Sequence, residues 1–463
     1  MPYPPGTLRP SGASRILAAA FDPPDLEASA ISRPISLSEA APPVWTLLDE
    51  AQRVHVLRAI AVLAGLVIPL LVIGRGAVAI LVPVIGGLVA LAFYWPRRFE
   101  QLKAALQRPL VAALVIMFAL WLPSVAGSLK PGFSLAIWFQ VLGLVLFVAC
   151  LSRILAENPG LHRWTLRVLL AMAVAGCAIA AISLTLWPQL LQFVRPVTLT
   201  HAITPVSYLK SYAATMPCLA PVLLWAGFRL GGAWRIAAIM AVLLGFVIVH
   251  ATGNRAAIAG YAGAVAFIAV ALALRRAPRT VRIAAVAAFA AAAIAVAWYV
   301  IAHLPAMPFQ GPQALRMPTS LVDAHRQAIW GFVFDKALER PLFGWGPSMA
   351  NFMPGADDKV PGLGQTFVPL HSHNWVLQLF NDVGALGLAA ALAVVAALVI
   401  GLERRFRVGD TAALTALGLA GAFFVSTLAN FSIWQGWWQS VFAVLLPIAL
   451  AGARADAKPR GTT

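Results

Sequence analysis

Two arginines in the middle of the chain, Arg195 and Arg255, have no acidic residue near them in sequence. No Asp or Glu occurs between Glu157 and Asp323, although this stretch also carries Lys210. A guanidinium without a carboxylate partner suits an anionic ligand, and its planar fork fits phosphate oxygens best. Both arginines are therefore candidate phosphate ligands, with Lys210 in support. The alternative is that they are interfacial residues whose side chains snorkel to lipid headgroups.

Arg255 follows the short polar segment Thr252-Gly253-Asn254. Thr252 or Asn254 can cap the next helix, and either choice places Arg255 in the first helical turn. A cation alone opposes the helix dipole there. A bound anion is favoured, because the free backbone amides and the guanidinium converge on it. We therefore expect Arg255 to contact a phosphate group.

Two histidines, His371 and His373, come just before an apolar segment that begins at Trp375. With Ser372 near the cap, His373 is expected in the first helical turn, where the positive helix end favours neutral imidazole. Neutral imidazole can serve as a general base around pH 7. Helical geometry would point the two rings to nearly opposite sides, and a zinc site needs a third ligand that has no clear candidate. We therefore predict His373 as a base, with no metal and no cofactor.

Arg326 and Asp382 are two further charged residues of interest. Arg326 can pair with Asp323 at i, i+3 on a helix, so a structural salt bridge and a ligand-binding role remain open for it. Asp382 lies inside an apolar segment and should face the interior of a helix bundle, where it needs a partner.

The composition shows what kind of protein must position these residues. The chain has 463 residues, 61% of them hydrophobic and only 11% charged, with a mean hydropathy of +0.83. Soluble domains carry about 25% charged residues, so an ordinary cytosolic enzyme and a disordered chain are excluded. The net charge of +17 does not indicate a nucleic-acid partner, because membrane proteins concentrate Lys and Arg in cytoplasmic loops. We predict an all-α polytopic membrane protein.

Twelve apolar segments are long enough to be transmembrane helices. They cover residues 56–74, 76–95, 109–127, 133–151, 164–187, 207–228, 234–250, 256–274, 281–304, 375–402, 411–430 and 433–452. The predicted organisation is a cytoplasmic tail at 1–54, nine spans within 55–304, a long loop at 305–374, three spans within 375–452 and a cytoplasmic tail at 453–463.

The distribution of basic residues predicts the orientation. With the N-terminus inside, the outer short loops hold only Arg75, Lys130, Arg195 and Arg255, and the inner loops hold most of the other arginines and lysines. The positive-inside rule then places both termini in the cytoplasm and the loop 305–374 outside. Contact with membrane lipids follows from this arrangement.

The loop 305–374 is expected to contain a helix of its own. Ser320 followed by Asp323 resembles a capping box, and the pattern from there to Glu339 is that of one helix, stopped by Pro341. Its apolar face comprises Ile329, Trp330, Val333, Phe334 and Ala337. A loop of this length with an amphipathic helix is more typical of a functional lid than of a linker.

Three segments resemble motifs of the O-antigen ligase/polymerase superfamily. They are Thr252–Ala256, similar to its Ser-Arg-Gly-type motif; Arg326, Trp330, Pro341 and the turn Phe343–Gly346, similar to its large periplasmic loop; and His373-Asn374 with Leu377, Gly384 and Gly387, similar to its His-Asn-x-x-Leu…Gly…Gly segment. The resemblance covers about residues 190–390, and Asn254 stands where many relatives have Ser. Twelve spans with a large loop before the His segment resemble lipopolysaccharide O-antigen ligases in particular.

This resemblance implies a C-type glycosyltransferase fold in the bacterial inner membrane. It also implies transfer of a glycan from undecaprenyl pyrophosphate to lipid A–core oligosaccharide, on the periplasmic side and without a metal. Arg255, Arg326 and Arg195 would bind the diphosphate, and His373 would be the base, supported by Asn374, His371 and Lys210. Because diphosphate is a good leaving group, arginine charge can replace a metal, and a single displacement inverts the anomeric configuration.

Two kinds of alternative remain. O-antigen polymerases and protein O-oligosaccharyltransferases share the donor and differ in the acceptor, which the sequence does not name. A polytopic lipid or ion transporter is the alternative from another class, but the sequence lacks the matched pair of broken helices that inverted repeats give.

Overall fold

The protein is mainly α-helical in the residues that its computed structural model describes, which are 48–92, 108–195, 198–200 and 203–455. Most of the two predicted tails (1–47 and 456–463) and the inner-loop residues Arg97, Arg98 and Lys103 lie outside these ranges. Fourteen α-helices are described: α1 Glu50–Leu66, α2 Arg75–Ala92, α3 Pro109–Ala126, α4 Pro131–Glu157, α5 Pro159–Thr185, α6 Leu190–Val194, α7 Pro205–Leu230, α8 Ala233–Ala251, α9 Arg255–Leu274, α10 Arg279–Ala302, α11 Ala324–Glu339, α12 Trp375–Arg407, α13 Thr411–Thr427 and α14 Gly436–Ala455.

Each of the twelve predicted spans coincides with one of these helices. Among the described residues, nine helices are long and apolar enough to cross a membrane, namely α2–α5, α7–α10 and α12. Two others, α13 and α14, are apolar but shorter. The first predicted span is divided, because α1 ends at Leu66 and a 3-10 turn, Pro69–Val72, follows; Pro69 has no N–H to donate to an i→i−4 hydrogen bond. The polytopic α-helical class is thus confirmed, and the number twelve stays a prediction.

Small residues let two helices that carry the site approach closely. Gly263 of α9 and Gly421 of α13 lie so near that a Cβ on either would come within 2.5 Å of the carbonyl oxygen of the other. Gly263 lies eight residues after Arg255, and Gly421 lies eight before Ala429. Because the two helices run antiparallel here, this contact brings Arg255 and Ala429 to the same end of the bundle. We call it the loop end, since residues 305–374 also join the bundle there.

The predicted loop helix is present as α11, and the loop has a hydrophobic core of its own. Ile329, Trp330 and Val333 are buried in that core, and Phe332 stacks on Phe367 with ring centroids 4.9 Å apart. Of the predicted apolar face, Phe334 alone is only half-buried. The predicted cap was wrong by three residues: the Asp323 carboxylate, not Ser320, accepts from the Arg326 amide at 3.0 Å. Ser320 instead lies in a preceding turn.

Candidate active site

His373 lies immediately before α12 and not in its first turn, so that prediction was wrong. The cap is Asn374, whose side-chain oxygen accepts from the amides of Val376 and Leu377 at 3.1 and 3.2 Å. Asn and Ser are about equally favoured as caps, and here it is the Asn374 side chain that reaches the two free amides. His373 itself has a φ of +55°, a left-handed conformation that is uncommon for a residue other than glycine.

The two histidines face each other, contrary to the prediction that they point to opposite sides. Their ring centroids are 4.1 Å apart and their planes are nearly perpendicular, at 82°. The prediction failed because neither residue is helical. His371 is only 3% exposed, and its buried Nδ1 has no hydrogen-bond partner among the described residues. The carbonyl of Ser372, between them, accepts from the Trp330 indole of α11 at 2.8 Å.

The hydrogen bond of His373 defines which of its ring nitrogens is free. Nδ1 lies 2.9 Å from the carbonyl oxygen of Asn430. A carbonyl can only accept, so Nδ1 must carry the proton, and neutral imidazole then has its lone pair on Nε2. The arrangement that results is that of an imidazole held by one nitrogen and basic at the other.

The surroundings keep both imidazoles neutral. Burial, and after it the positive charge of Arg326, lower the pKa of His373 to about 4, against a raising effect of the Asn430 hydrogen bond. Burial lowers the pKa of His371 to about 3, with His373 and Arg326 as lesser causes. Around pH 7 both rings are therefore uncharged.

Arg326 is fixed on two sides in the first turn of α11. Its Nε lies 3.1 Å from Asp323 Oδ2, which confirms the predicted i, i+3 pair, and its Nη1 donates to the carbonyl oxygen of Ala429 at 3.1 Å. Ala429 directly precedes Asn430, so the segment between α13 and α14 holds Arg326 and His373 with consecutive carbonyls. The guanidinium retains other N–H groups for a ligand.

Arg255 is the first residue of α9, as predicted, and Asn254 rather than Thr252 is the cap. Asn254 Oδ1 accepts from the Ala257 amide at 3.1 Å, and Asn254 Nδ2 donates to the Lys210 carbonyl at 3.1 Å. Thr252 instead donates its hydroxyl back to the preceding helix. Arg255 Nη1 donates to the carbonyl oxygen of Ser320 at 2.9 Å. This bond ties α9 to the turn that leads into α11.

The structure therefore brings Arg255, Arg326 and His373 to the loop end, where Arg255 is bound to the Ser320 carbonyl and Arg326 and His373 to the Ala429 and Asn430 carbonyls. Lys210 joins them through its backbone carbonyl, which accepts from Asn254. Arg195 was predicted to bind the diphosphate together with Arg255 and Arg326, but its described contacts are with other residues. Its guanidinium lies over the Tyr208 ring at 4.5 Å and against Gly74.

Asp382 is fully buried, as predicted, and it has several partners. Its Oδ2 accepts from the Trp434 indole at 2.7 Å and from the Ser348 amide at 3.1 Å, and Oδ1 accepts from Asn381 at 2.7 Å. Its carbonyl accepts from the Gly346 amide at 2.8 Å. Asp382 thus joins the loop, α12 and the segment before α14.

Close backbone contacts complete this junction. Gly384 has a φ of +68° inside α12, and its Cα faces the Leu342 carbonyl so closely that a side chain would not fit. Freed from the helix there, the amide of Ala385 donates to the Pro341 carbonyl at 2.8 Å. The break in α12 is therefore what lets the loop dock.

An apolar cavity of about 260 Å³ lies beside the site, lined among others by Trp375, Leu379, Phe424 and Trp434. Trp375 is two residues after His373. An apolar space next to a basic, polar cluster can accept an amphiphilic ligand. Among the described residues, no three His, Cys, Asp or Glu side chains come together as metal ligands would.

The fold and the site define a class: a polytopic helical membrane protein with a polar centre of one imidazole and two guanidinium groups at one end of its bundle. Residues 239–392 match the model of a family described as O-Antigen ligase. This match covers about a third of the chain, from within α8 into α12, and includes Arg255, Arg326 and His373.

Curated relatives share a similar portion. The chain is 30% identical over 118 residues to "Putative polysaccharide ligase RP358" of Rickettsia prowazekii, which covers 25% of this chain and 29% of that protein. It is 28% identical over 129 residues to "Putative polysaccharide ligase" of Rickettsia bellii, covering 27% of this chain and 31% of that protein. The chain thus spans about three tenths of the length of these relatives. The resemblance to the O-antigen ligase superfamily is confirmed.

Proposed function

We propose that this protein is an O-antigen ligase, a glycosyltransferase that moves a glycan from undecaprenyl pyrophosphate to lipid A–core oligosaccharide. The observation that carries the proposal is the free Nε2 of His373 beside the guanidinium of Arg326, both anchored to consecutive carbonyls. The family match and the names of the relatives support a ligase or polymerase type of function.

In this proposal Arg255 and Arg326 bind the donor diphosphate. Each has one guanidinium nitrogen on a backbone carbonyl, so the plane of the fork is fixed before the ligand arrives. Each also lies in the first turn of a helix, where free amides add to the attraction for an anion. Lys210 is proposed to support them with its positive charge, and its backbone carbonyl is bound to Asn254, the residue before Arg255. Arg195 is not included, because its described contacts are with Tyr208 and Gly74.

The lipid part of the donor is expected to enter the apolar cavity beside Trp375. A polyprenyl chain is wholly apolar, and the cavity walls named above are almost wholly apolar too. Because the cavity and the arginines flank the same histidine, this placement would hold the anomeric carbon near His373.

The chemical step is one displacement at the anomeric carbon. The acceptor hydroxyl oxygen forms the new bond as His373 Nε2 takes its proton, and the bond from the anomeric carbon to the diphosphate oxygen breaks with its electron pair going to the diphosphate. The configuration inverts. Arg255 and Arg326 stabilise the charge that develops on the leaving oxygen, the task that a metal performs in other transferases.

The low pKa of His373 does not prevent this role. A diphosphate bound to Arg326 adds negative charge close to the imidazole, and an adjacent anion raises the pKa of a histidine. His373 therefore becomes a stronger base once the donor is bound. We further propose that the loop end faces the periplasm from the inner membrane, with both termini in the cytoplasm.

The test is transfer in a purified system. The protein in nanodiscs, given carrier-linked glycan and rough lipopolysaccharide, should produce glycosylated lipid A–core, with EDTA present throughout. Polymer that grows on the carrier with none on lipid A–core would indicate a polymerase instead. Consumption of neither substrate, or activity that needs added Mg²⁺ or Mn²⁺, would contradict the proposal as stated.

A further inference from the structure

A second basic cavity lies at the loop end, apart from the contacts of Arg255 and Arg326. It has a volume of about 430 Å³ and is lined by Arg75, Gly76, Ala79, Gln435, Gly436 and Trp437. Arg75 Cζ lies 5.7 Å from the centre of the Trp437 ring. One wall is therefore cationic and another is an aromatic face.

Arg195 does not line this cavity, but its guanidinium contacts Gly74, the residue before Arg75, and is close enough to Arg75 for the two charges to interact. Its Nη2 lies against the Cα of Gly74, where a Cβ would come within 2.9 Å of it. Only a glycine at position 74, next to Arg75, leaves room for this approach. Arg195 is also stacked on Tyr208, so its head is held in place rather than free in solvent.

The two charges lack a counter-ion in the described part of the chain. Neither arginine takes part in the ion pairs found there, which join other residues. Burial lowers the pKa of Arg195, and Arg75 lowers it further, against a raising effect of Tyr208. Two like charges held close together raise the free energy of the empty site, and an anion between them removes that cost.

The position of the cavity relates it to the reaction. Asn430, which holds His373, and Gly436, which lines the cavity, belong to the same segment between α13 and α14. Six residues of chain separate them, and that length spans at most about 20 Å. A glycolipid of several sugars can reach from the cavity to the base over this distance.

We propose that Arg75 and Arg195 form a second anion site, which binds a phosphate group of the acceptor glycolipid. The donor diphosphate remains with Arg255 and Arg326. This inference rests on the proposed transferase function, and Trp437 and Gln435 supply the apolar and polar walls that would orient the acceptor.

Arg75→Ala tests the site through two acceptors, phosphorylated lipid A–core and the same molecule after phosphatase treatment. With wild type, phosphatase treatment should raise the KM for acceptor about tenfold or more, as expected for the loss of one charge-assisted contact. Arg75→Ala should show that higher KM with both acceptors and an unchanged KM for donor. Lys130→Ala, a cation of the same end that lies over Phe352 at 3.4 Å, is the matched control and should behave as wild type.

Two results would overturn the proposal. The first is that Arg75→Ala raises the KM for acceptor above the wild-type value by the same factor with the phosphorylated and with the phosphatase-treated acceptor. The second is that Arg75→Ala raises the KM for donor. Binding measured by native mass spectrometry separates this site from the proposed function, because it needs no transfer. Wild type should retain phosphorylated lipid A–core. Arg75→Ala should lose it, and Arg75→Lys should retain part of it. Equal retention by all three, or full displacement by equimolar phosphatidylglycerol, would rule out an acceptor site.

Discussion

Arg326 lies in α11 and His373 in the loop just before α12, yet they donate to neighbouring carbonyl oxygens, those of Ala429 and Asn430, at 3.1 and 2.9 Å. Their spacing is therefore set by a single peptide unit of the segment between α13 and α14. This arrangement places a permanent cation beside a neutral base, and it is the geometric reason to assign one to the leaving group and the other to the nucleophile.

Arg255→Ala and Arg326→Ala should each lower kcat/KM by on the order of 10–100-fold, the loss expected when a charge-assisted hydrogen bond is removed. Arg255→Lys and Arg326→Lys should recover only part of the lost kcat/KM, because one ammonium cannot reproduce the guanidinium fork. Steady-state kinetics with purified donor is the measurement. Lys359→Ala, an exposed loop cation, is the control for net charge. Full activity in both lysine variants would show that the arginines act only as structural or general positive charge.

His373→Ala should lose about 10²–10⁴-fold in kcat, the usual contribution of a general base, while donor binding stays largely intact. His371→Ala should lose much less, because it packs against the His373 ring and takes no proton. Single-turnover transfer and donor binding are to be measured in parallel. If His371→Ala is inactive and His373→Ala has wild-type activity, the general base is His371. Wild-type activity in both variants would contradict general-base catalysis by either histidine.

The pH dependence should reveal the buried imidazole. His373 in the free enzyme has a pKa of about 4, below its ordinary 6.5, and the base works only when unprotonated. The kcat/KM should therefore hold from neutrality downward and fall only as the pH approaches about 4. The acidic fall in kcat should occur at a higher pH than that in kcat/KM, because the bound diphosphate raises the pKa of His373. A kcat/KM limb near 6.5 would mean that the imidazole is solvated.

Asp382→Ala should destabilise the docked loop. It leaves the Trp434 indole and the Ser348 amide without their acceptor, and an unsatisfied buried donor costs about 1–3 kcal/mol. A lower melting temperature and faster proteolysis within 305–374 are expected. Asp382→Asn keeps one acceptor oxygen and should be milder. Wild-type melting and proteolysis in Asp382→Ala would show that the loop is held by other contacts.

Reporter fusions can check the orientation. A fusion at Gly355 should report the periplasm, and one at Arg279, at the start of α10, should report the cytoplasm, because α10 crosses once between them. The same side from both positions would contradict the proposed topology.

The sequence was informative wherever the determinants are local. Asn254 as one of two candidate caps, the Asp323–Arg326 pair and the end of α11 at Glu339 each depend on residues close in sequence, and all three are present. The start of α12 was misjudged because Ser372 and Asn374 both suit a cap, and only the two amide bonds of Asn374 decide between them. The contacts of Arg326, Arg255 and His373 escaped prediction because their partners are backbone carbonyls, which every residue type carries.

The close contact of Gly263 and Gly421 sets the angle at which α9 and α13 cross, and with it the positions of Arg255 and Ala429. Eight residues of helix separate it from Arg255, a distance of about 12 Å along α9, and on the other side α13 continues from Gly421 to Thr427, two residues before Ala429. A tilt of about 5° at the crossing would move a residue at that distance by about 1 Å, a misplacement that can cost on the order of 100-fold in rate. In the proposed transferase, the positions of the reacting groups would therefore depend in part on a pair of glycines in the interior of the helix bundle, away from the proposed substrates.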